Sequence, residues 1–340
     1  YQTVHHGLWD YDPPAAPILM DINVEGREIK AVAQLTKQAF VFVFDRETGE
    51  PVWDIEERPV PQSDVPGEVT AATQPFPTKP APFDRQGSTE ENLVDFTPEL
   101  RAQALDIASH YVTGPLFTPP SIASENGTQG TIQLPGSQGG ADVQGAAFDP
   151  ETGMLYIPSI TSPFVADLRP GDPEVTNLSY TKGSRRWLAG PQGLPLFKPP
   201  YGRITAINMN TGEHEWMVPN GWGPVDNPAI AHLDLGKLGV PGRPSPLLTK
   251  SLLFIGEGMT NQRRGGRIPP DMPIEIATNS GGPWFRAYDK NSGAVVWEIE
   301  MEAGTTNPPV SYVYNDRQYL LVAIGDSRHA PEMVAFALSE

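Results

Sequence analysis

Residues 9–12 read Trp-Asp-Tyr-Asp, so two carboxylates, Asp10 and Asp12, stand two positions apart. On an extended chain that spacing puts both on one face. Paired carboxylates supply the hard oxygen donors that suit Ca2+, and a carboxylate beside a bound cation stays ionised and can accept a proton. Taken alone, the same four residues read first as a turn. Lys37 precedes the apolar run 39–44, and taken alone it is a solvated lysine. His5 and His6 suggest metal ligation, but on a strand they face opposite sides and do not form a ligand pair. No cysteine occurs among the 340 residues. Thiol catalysis, Cys-ligated zinc, iron–sulfur clusters and disulfide scaffolds are thereby excluded, and the composition fits an oxidising compartment.

The elements that must position these groups are short. Glycine and proline total 33 and 38 residues, which implies many turns. The apolar runs 40–44 and 319–324 are strand-length, and no segment approaches the roughly 20 residues needed to span a bilayer. The alternating start at Tyr1–Val4 predicts the middle of a strand, and hence a processed or truncated product. One helix is predicted over 97–107, with Thr97 as N-cap, Pro98 at the first position, and Leu100, Ala104 and Ile107 on one face. The net charge of −17 repels phosphate and argues against nucleic acid or anionic lipid as a partner.

Three segments share one design: an apolar strand, an Asp or Asn turn ending in Gly, and a second strand with Trp four residues after that Gly. Their glycine–tryptophan pairs are Gly49 and Trp53, Gly212 and Trp216, and Gly293 and Trp297. A fourth copy at 145–157 has the turn, with Gly153, but no Trp. Recurrence of an antiparallel unit points to a propeller or solenoid. The 81 residues from Trp216 to Trp297 exceed one four-stranded blade of about 40–50 residues, so an insertion or a degenerate blade is expected between them. Inserted loops are expected near 54–135 and 259–283.

The repeated turn and tryptophan resemble the docking repeat of the pyrroloquinoline quinone (PQQ) dehydrogenases, the quinoproteins. The opening segment 1–12, ending in Trp9-Asp10-Tyr11-Asp12, is similar to that family's active-site segment and most similar to its glucose dehydrogenase branch. Segments 35–37, 59–62, 73–76, 116–120, 303–306 and 319–323 read like the same branch. The resemblance implies an all-β, eight-bladed propeller of which this chain covers roughly half, as the C-terminal part of a single domain. It implies Asp10 as the base that takes the substrate hydroxyl proton, and Lys37 as the cation at the ortho-quinone oxygens of PQQ. A cation there stabilises the negative charge that develops on those oxygens. Asp10 and Asp12 are the implied metal contacts, for Ca2+ or another divalent ion or a lanthanide. Trp9 and Asp142 are implied to contact PQQ, and His6 to orient the substrate. Trp53, Trp216 and Trp297 are read as structural docking residues rather than a stacking platform for PQQ. The family's usual Trp after Asp142 is Val143 here, and His329 matches a His-containing loop of the glucose branch only loosely.

By the same resemblance the substrate is a sugar or related alcohol, electrons pass to a quinone or cytochrome, and the location is periplasmic or otherwise exported. The family's stacking Trp and its Glu and Asn metal ligands fall upstream of Tyr1. Closure of the ring is therefore expected from a missing N-terminal half or from a homo-oligomer, because a half-ring leaves sheet edges open. The alternatives are a non-catalytic propeller scaffold, similar to the outer-membrane assembly lipoproteins, and an inactive fragment. A scaffold has no use for the pairing of residues 9–12 with Lys37.

Overall fold

A computed structural model describes residues 1–124, 127–183, 188–258, 281–326 and 329–338. The strands in chain order begin with β1 (Ile18–Val24), β2 (Arg27–Leu35), β3 (Val41–Asp45), β4 (Ile55–Pro59) and β5 (Thr73–Pro77). After helix α1 (Pro98–Ser109) come β6 (Ser121–Ile122), β7 (Thr131–Gln133), β8 (Ala147–Asp149), β9 (Met154–Ile160), β10 (Phe164–Pro170) and β11 (Tyr180–Lys182). The remainder are β12 (Gly202–Asn208), β13 (Glu213–Pro219), β14 (Leu247–Leu248), β15 (Leu252–Gly256), β16 (Trp284–Asp289), β17 (Val295–Glu300), β18 (Val310–Tyr314), β19 (Arg317–Ile324) and β20 (Glu332–Ala337).

Four antiparallel sheets follow one another: β1–β3, then β8, β9, β12 and β13, then β14–β17, then β18–β20. Each packs a face on the next. Ala33, Leu35 and Val41 meet Leu155, Ile157 and Ile207; Tyr156 and Ile204 meet Leu253 and Tyr288; Phe254 and Phe285 meet Val322 and Ile324. A β4–β5 hairpin, α1 and a small sheet in which β10 pairs with β6, β7 and β11 occupy the insertions. The long interval between Trp216 and Trp297 holds the connection from β13 to β14 and the strands β14–β16. The loop expected at 259–283 falls on 259–280, outside the described residues, except at its end.

The repeated turn has one physical cause. In each copy an Asp or Asn carboxyl or amide oxygen accepts from the backbone N–H two residues on: Asp45 from Glu47, Asp149 from Glu151, Asn208 from Asn210, and Asp289 from Asn291. The carbonyl of the same residue accepts from the N–H of Gly49, Gly153, Gly212 or Gly293, at 2.7–2.9 Å. Those glycines have φ between 70° and 81°, where a Cβ is strained. In two copies the turn glycine also meets the tryptophan of the preceding repeat. A Cβ on Gly212 would lie 3.2 Å from Trp53 Cζ2, and one on Gly293 would lie 2.8 Å from Trp216 Cε3. Trp216 Nε1 donates to Lys290 O at 3.2 Å. Trp297 packs instead against Phe285 and Phe336, and the β18–β19 hairpin turns through Asn315 and Asp316, both at positive φ. Trp216→Ala should lower the unfolding free energy by about 3 kcal/mol, read by urea titration. Gly293→Ala should also destabilise, because the added methyl meets that ring.

Two expected strands are absent. Residues 1–17 carry no strand: His6 and Asp10 have φ of 43° and 62°, and His5 N–H donates to the side chain of Gln74 in β5 instead of to a backbone carbonyl. The histidines therefore do not alternate across a sheet. Trp53 lies outside any strand: the pairing with β3 is a single bridge from Phe44 to Pro51, flanked by Asp45 N–H donating to Glu50 O at 2.8 Å and Val52 N–H donating to Val43 O at 2.9 Å, and the chain leaves β3 after Val52. The helix starts at its predicted cap, with Thr97 Oγ1 accepting from Leu100 N at 3.1 Å.

Candidate functional site

The segment 9–12 is held by its aromatic residues rather than by a sheet. Trp9 and Tyr11 are 2% and 4% exposed, packed with Phe40 and Phe117. Trp9 Nε1 donates to Thr118 O at 2.9 Å, Gln133 Nε2 donates to Trp9 O at 2.8 Å, and Tyr11 Oη donates to Pro135 O at 2.5 Å. Burial raises the Tyr11 pKa, so this phenol stays a donor. With the aromatic residues anchored inward, Asp10 and Asp12 project outward, each with a side chain 61% exposed. Upstream, the Gln74 amide makes a reciprocal pair with the His5 backbone, at 2.8 and 2.7 Å.

Lys37 sits in the turn from β2 to β3, which is closed by Thr36 N–H donating to Phe40 O at 3.0 Å. Its side chain is 8% exposed. The ammonium donates to Asp10 O at 2.8 Å and to Asp12 Oδ1 at 2.5 Å, while Asp10 Oδ2 lies at 3.7 Å. The Lys37 hydrogen bond holds the Asp12 carboxyl below its usual range. An ammonium has three N–H donors, and 3.7 Å is too long for a hydrogen bond, so among the described residues one donor has no acceptor. The loop at Gly139 covers the lysine stem. Gly139 has φ +78°, and a Cβ there would fall 2.6 Å from Lys37 Cγ and 2.7 Å from Lys37 Cα, so only glycine fits. Gly140 N–H donates to Lys37 O at 3.0 Å.

The structure brings Asp10, Asp12 and Lys37 into one cluster, and places Asp142 at the end of the loop that covers Lys37. The Asp142 carboxylate is ion-paired with Arg243, which the sequence reading missed. Trp9 corrects its expectation: with its ring enclosed by Tyr11 and Phe117 and its N–H bonded to backbone, it has no face for a cofactor and serves as an anchor. His6 lies at the surface with Nδ1 2.8 Å from Val69 O. A carbonyl only accepts, so Nδ1 carries the proton and the neutral ring has Nε2 as its acceptor. His329 is held between Glu302 and Glu332, at 3.6 and 3.1 Å.

As a donor set, two exposed carboxylates supply at most four of the six to eight oxygens that Ca2+ takes. These residues fit a hard cation in part only.

Successive antiparallel sheets packed face to face, with Asp10, Asp12 and Lys37 clustered at the β2–β3 turn of the first, define a β-propeller. Residues 1–320 match the family model "PQQ: Glucose/ethanol/alcohol dehydrogenase, beta-propeller domain". The chain belongs to that family. It is 27% identical over its whole length to quinoprotein glucose dehydrogenase A of Acinetobacter calcoaceticus, covering 42% of that protein. It is 28% identical to the quinate/shikimate dehydrogenase (quinone) of Acinetobacter baylyi, again covering all of this chain and 42% of the relative. The quinohemoprotein alcohol dehydrogenase of Comamonas testosteroni superposes with a TM-score of 0.54 at 18% identity, over 99% of this chain and 40% of that one. The chain thus spans less than half the length of the curated relatives it matches.

Proposed function

We propose that this chain is the base- and cation-bearing part of a PQQ-dependent dehydrogenase that oxidises a sugar or related alcohol. The observation that carries this reading is the Lys37 ammonium shared between Asp10 and Asp12 with a donor to spare. PQQ, when bound, takes up the two electrons of the oxidation. Asp10 accepts the hydroxyl proton of the substrate at its exposed carboxylate. Lys37 would hold PQQ and supply the positive charge that stabilises negative charge developing on it. Asp12 holds Lys37 in place and, with Asp10, offers oxygens to Ca2+ or a related ion. Asp142 borders the same site, and His6 offers Nε2 to a substrate hydroxyl. In this reading electrons leave to a quinone or cytochrome, the protein is periplasmic or exported, and the ring is closed by an N-terminal half or a second copy.

Calorimetric titration of PQQ into the chain with millimolar Ca2+ tests the reading. Saturable binding is expected, weakened at least about tenfold in Lys37→Ala, since a charge-assisted hydrogen bond contributes roughly 1.5–3 kcal/mol. Native binding that Lys37→Ala leaves unchanged would refute the role of Lys37. Absence of binding would refute a complete site in this chain alone and leave the site to be completed by the N-terminal half.

A further inference from the structure

Arg243 lies in the connection from β13 to β14, far in sequence from every residue of the cluster, yet it bonds both ends of the loop that covers Lys37. Its Nη1 pairs with Asp142 Oδ2, and its Nη2 donates to Gln138 O at 2.9 Å. These two acceptors bracket residues 139–141, whose backbone covers Lys37 through the close approach of Gly139 and the hydrogen bond from Gly140. One planar guanidinium therefore holds both ends of the covering loop. A lysine ammonium in its place is a point charge without that fork. The side chains of Arg243 and Asp142 are 22% and 17% exposed. Burial lowers the Arg243 pKa while the Asp142 carboxylate raises it, and a guanidinium remains charged throughout.

Charge supplies the second half of the argument. Asp10 and Asp12 already place two carboxylates against the single ammonium of Lys37. An unpaired, half-buried Asp142 at the end of the covering loop would add a third negative charge. PQQ itself carries carboxylates, so a site for it gains from having Asp142 neutralised.

We infer that Arg243 is a positioning residue of the PQQ site: it neutralises Asp142 and clamps residues 138–142 over Lys37. The inference rests on the proposed PQQ-binding function. Its test compares the native chain with Arg243→Met, Arg243→Lys and Asp142→Asn/Arg243→Met, with Lys37→Ala as the control for the site itself. PQQ affinity is titrated in millimolar Ca2+, and the melting temperature of the PQQ-free chain is recorded in parallel. Arg243→Met should weaken PQQ binding about tenfold or more. The double variant should recover several-fold of that loss, because it removes the stranded carboxylate along with its partner. Arg243→Lys should fall between native and Met, keeping the charge and losing the second arm.

A purely structural arginine would give a loss of affinity that tracks the fall in melting temperature, with no recovery in the double variant, and that result overturns the inference. Native-like PQQ affinity in Arg243→Met alongside a loss in Lys37→Ala also overturns it, while leaving the proposed function intact. Unchanged affinity in both removes the proposed function and the inference together. Should Arg243→Met fail to fold, the other two variants decide: native affinity in both overturns the inference.

Discussion

Asp10→Asn should lower kcat for sugar or alcohol oxidation by about a thousandfold in the PQQ-loaded protein, while PQQ affinity stays within about threefold of native. A positioned general base contributes roughly 10²–10⁴-fold, and an amide of the same shape cannot take a proton. The substitution is clean for two structural reasons. Asp10 has φ +62°, a conformation that asparagine tolerates as well as aspartate does. Lys37 is held by the Asp10 backbone carbonyl at 2.8 Å, which the substitution keeps, whereas the carboxylate lies 3.7 Å away. Asp12→Asn differs in kind: it removes the charge from the 2.5 Å partner of Lys37, so PQQ affinity as well as rate should change. Steady-state kinetics at saturating PQQ separate the two. A variant with Asn at position 10 that keeps more than about a tenth of native kcat would remove Asp10 as the base; if Asp12→Asn alone abolished turnover, the role would pass to Asp12.

The parts of this arrangement that local chemistry specifies were legible before any coordinates. The Asp or Asn turn with a glycine at positive φ is a short-range device, so it could be read at Gly49, Gly153, Gly212 and Gly293, and the helix cap at Thr97 is equally local. The common face of Asp10 and Asp12 was also legible, although the expected cause was an extended strand. The observed cause is the inward anchoring of Trp9 and Tyr11 by Gln133, Thr118 and Pro135, contacts more than 100 residues away in sequence. Nothing in the spacing of residues 9–12 distinguishes a tryptophan that meets a ligand from one that pins a loop. Arg243 was invisible for the same reason, since its partners are 101 and 105 residues away and its own neighbours form a proline- and glycine-rich connection. The doublet Gly139-Gly140 was the one available signal of close backbone approach there, and only the position of Lys37 gives it meaning.

The third sheet contains a buried arginine whose loss should be costly in stability. The Arg286 side chain is fully buried in β16, donating to Glu257 Oε1 at 2.8 Å and to Glu298 Oε2 at 2.9 Å, with its guanidinium 5.6 Å from the Trp284 ring centroid. Glu257 has no room to leave: a Cβ on Gly282 would lie 1.9 Å from its Oε2, and one on Gly221 would lie 2.4 Å from its Oε1. Arg286→Met should therefore strand a buried carboxylate and lower the unfolding free energy by about 3–5 kcal/mol at neutral pH. The pH dependence identifies the cause. Burial raises the Glu257 pKa even with Arg286 opposing it, so between the unfolded and folded pKa the native state binds more protons than the unfolded one. Stability attributable to Glu257 consequently falls as pH rises through that window. Without Arg286 the folded pKa rises further and the window extends towards neutrality. Urea titrations at several pH values should thus show the Arg286→Met deficit shrinking from pH 7.5 towards pH 5.5, as Glu257 takes up a proton. Glu257→Gln/Arg286→Met should remove most of that slope and part of the loss. A deficit independent of pH in Arg286→Met would mean that lost packing against Trp284, and not a stranded charge, is what the arginine prevents.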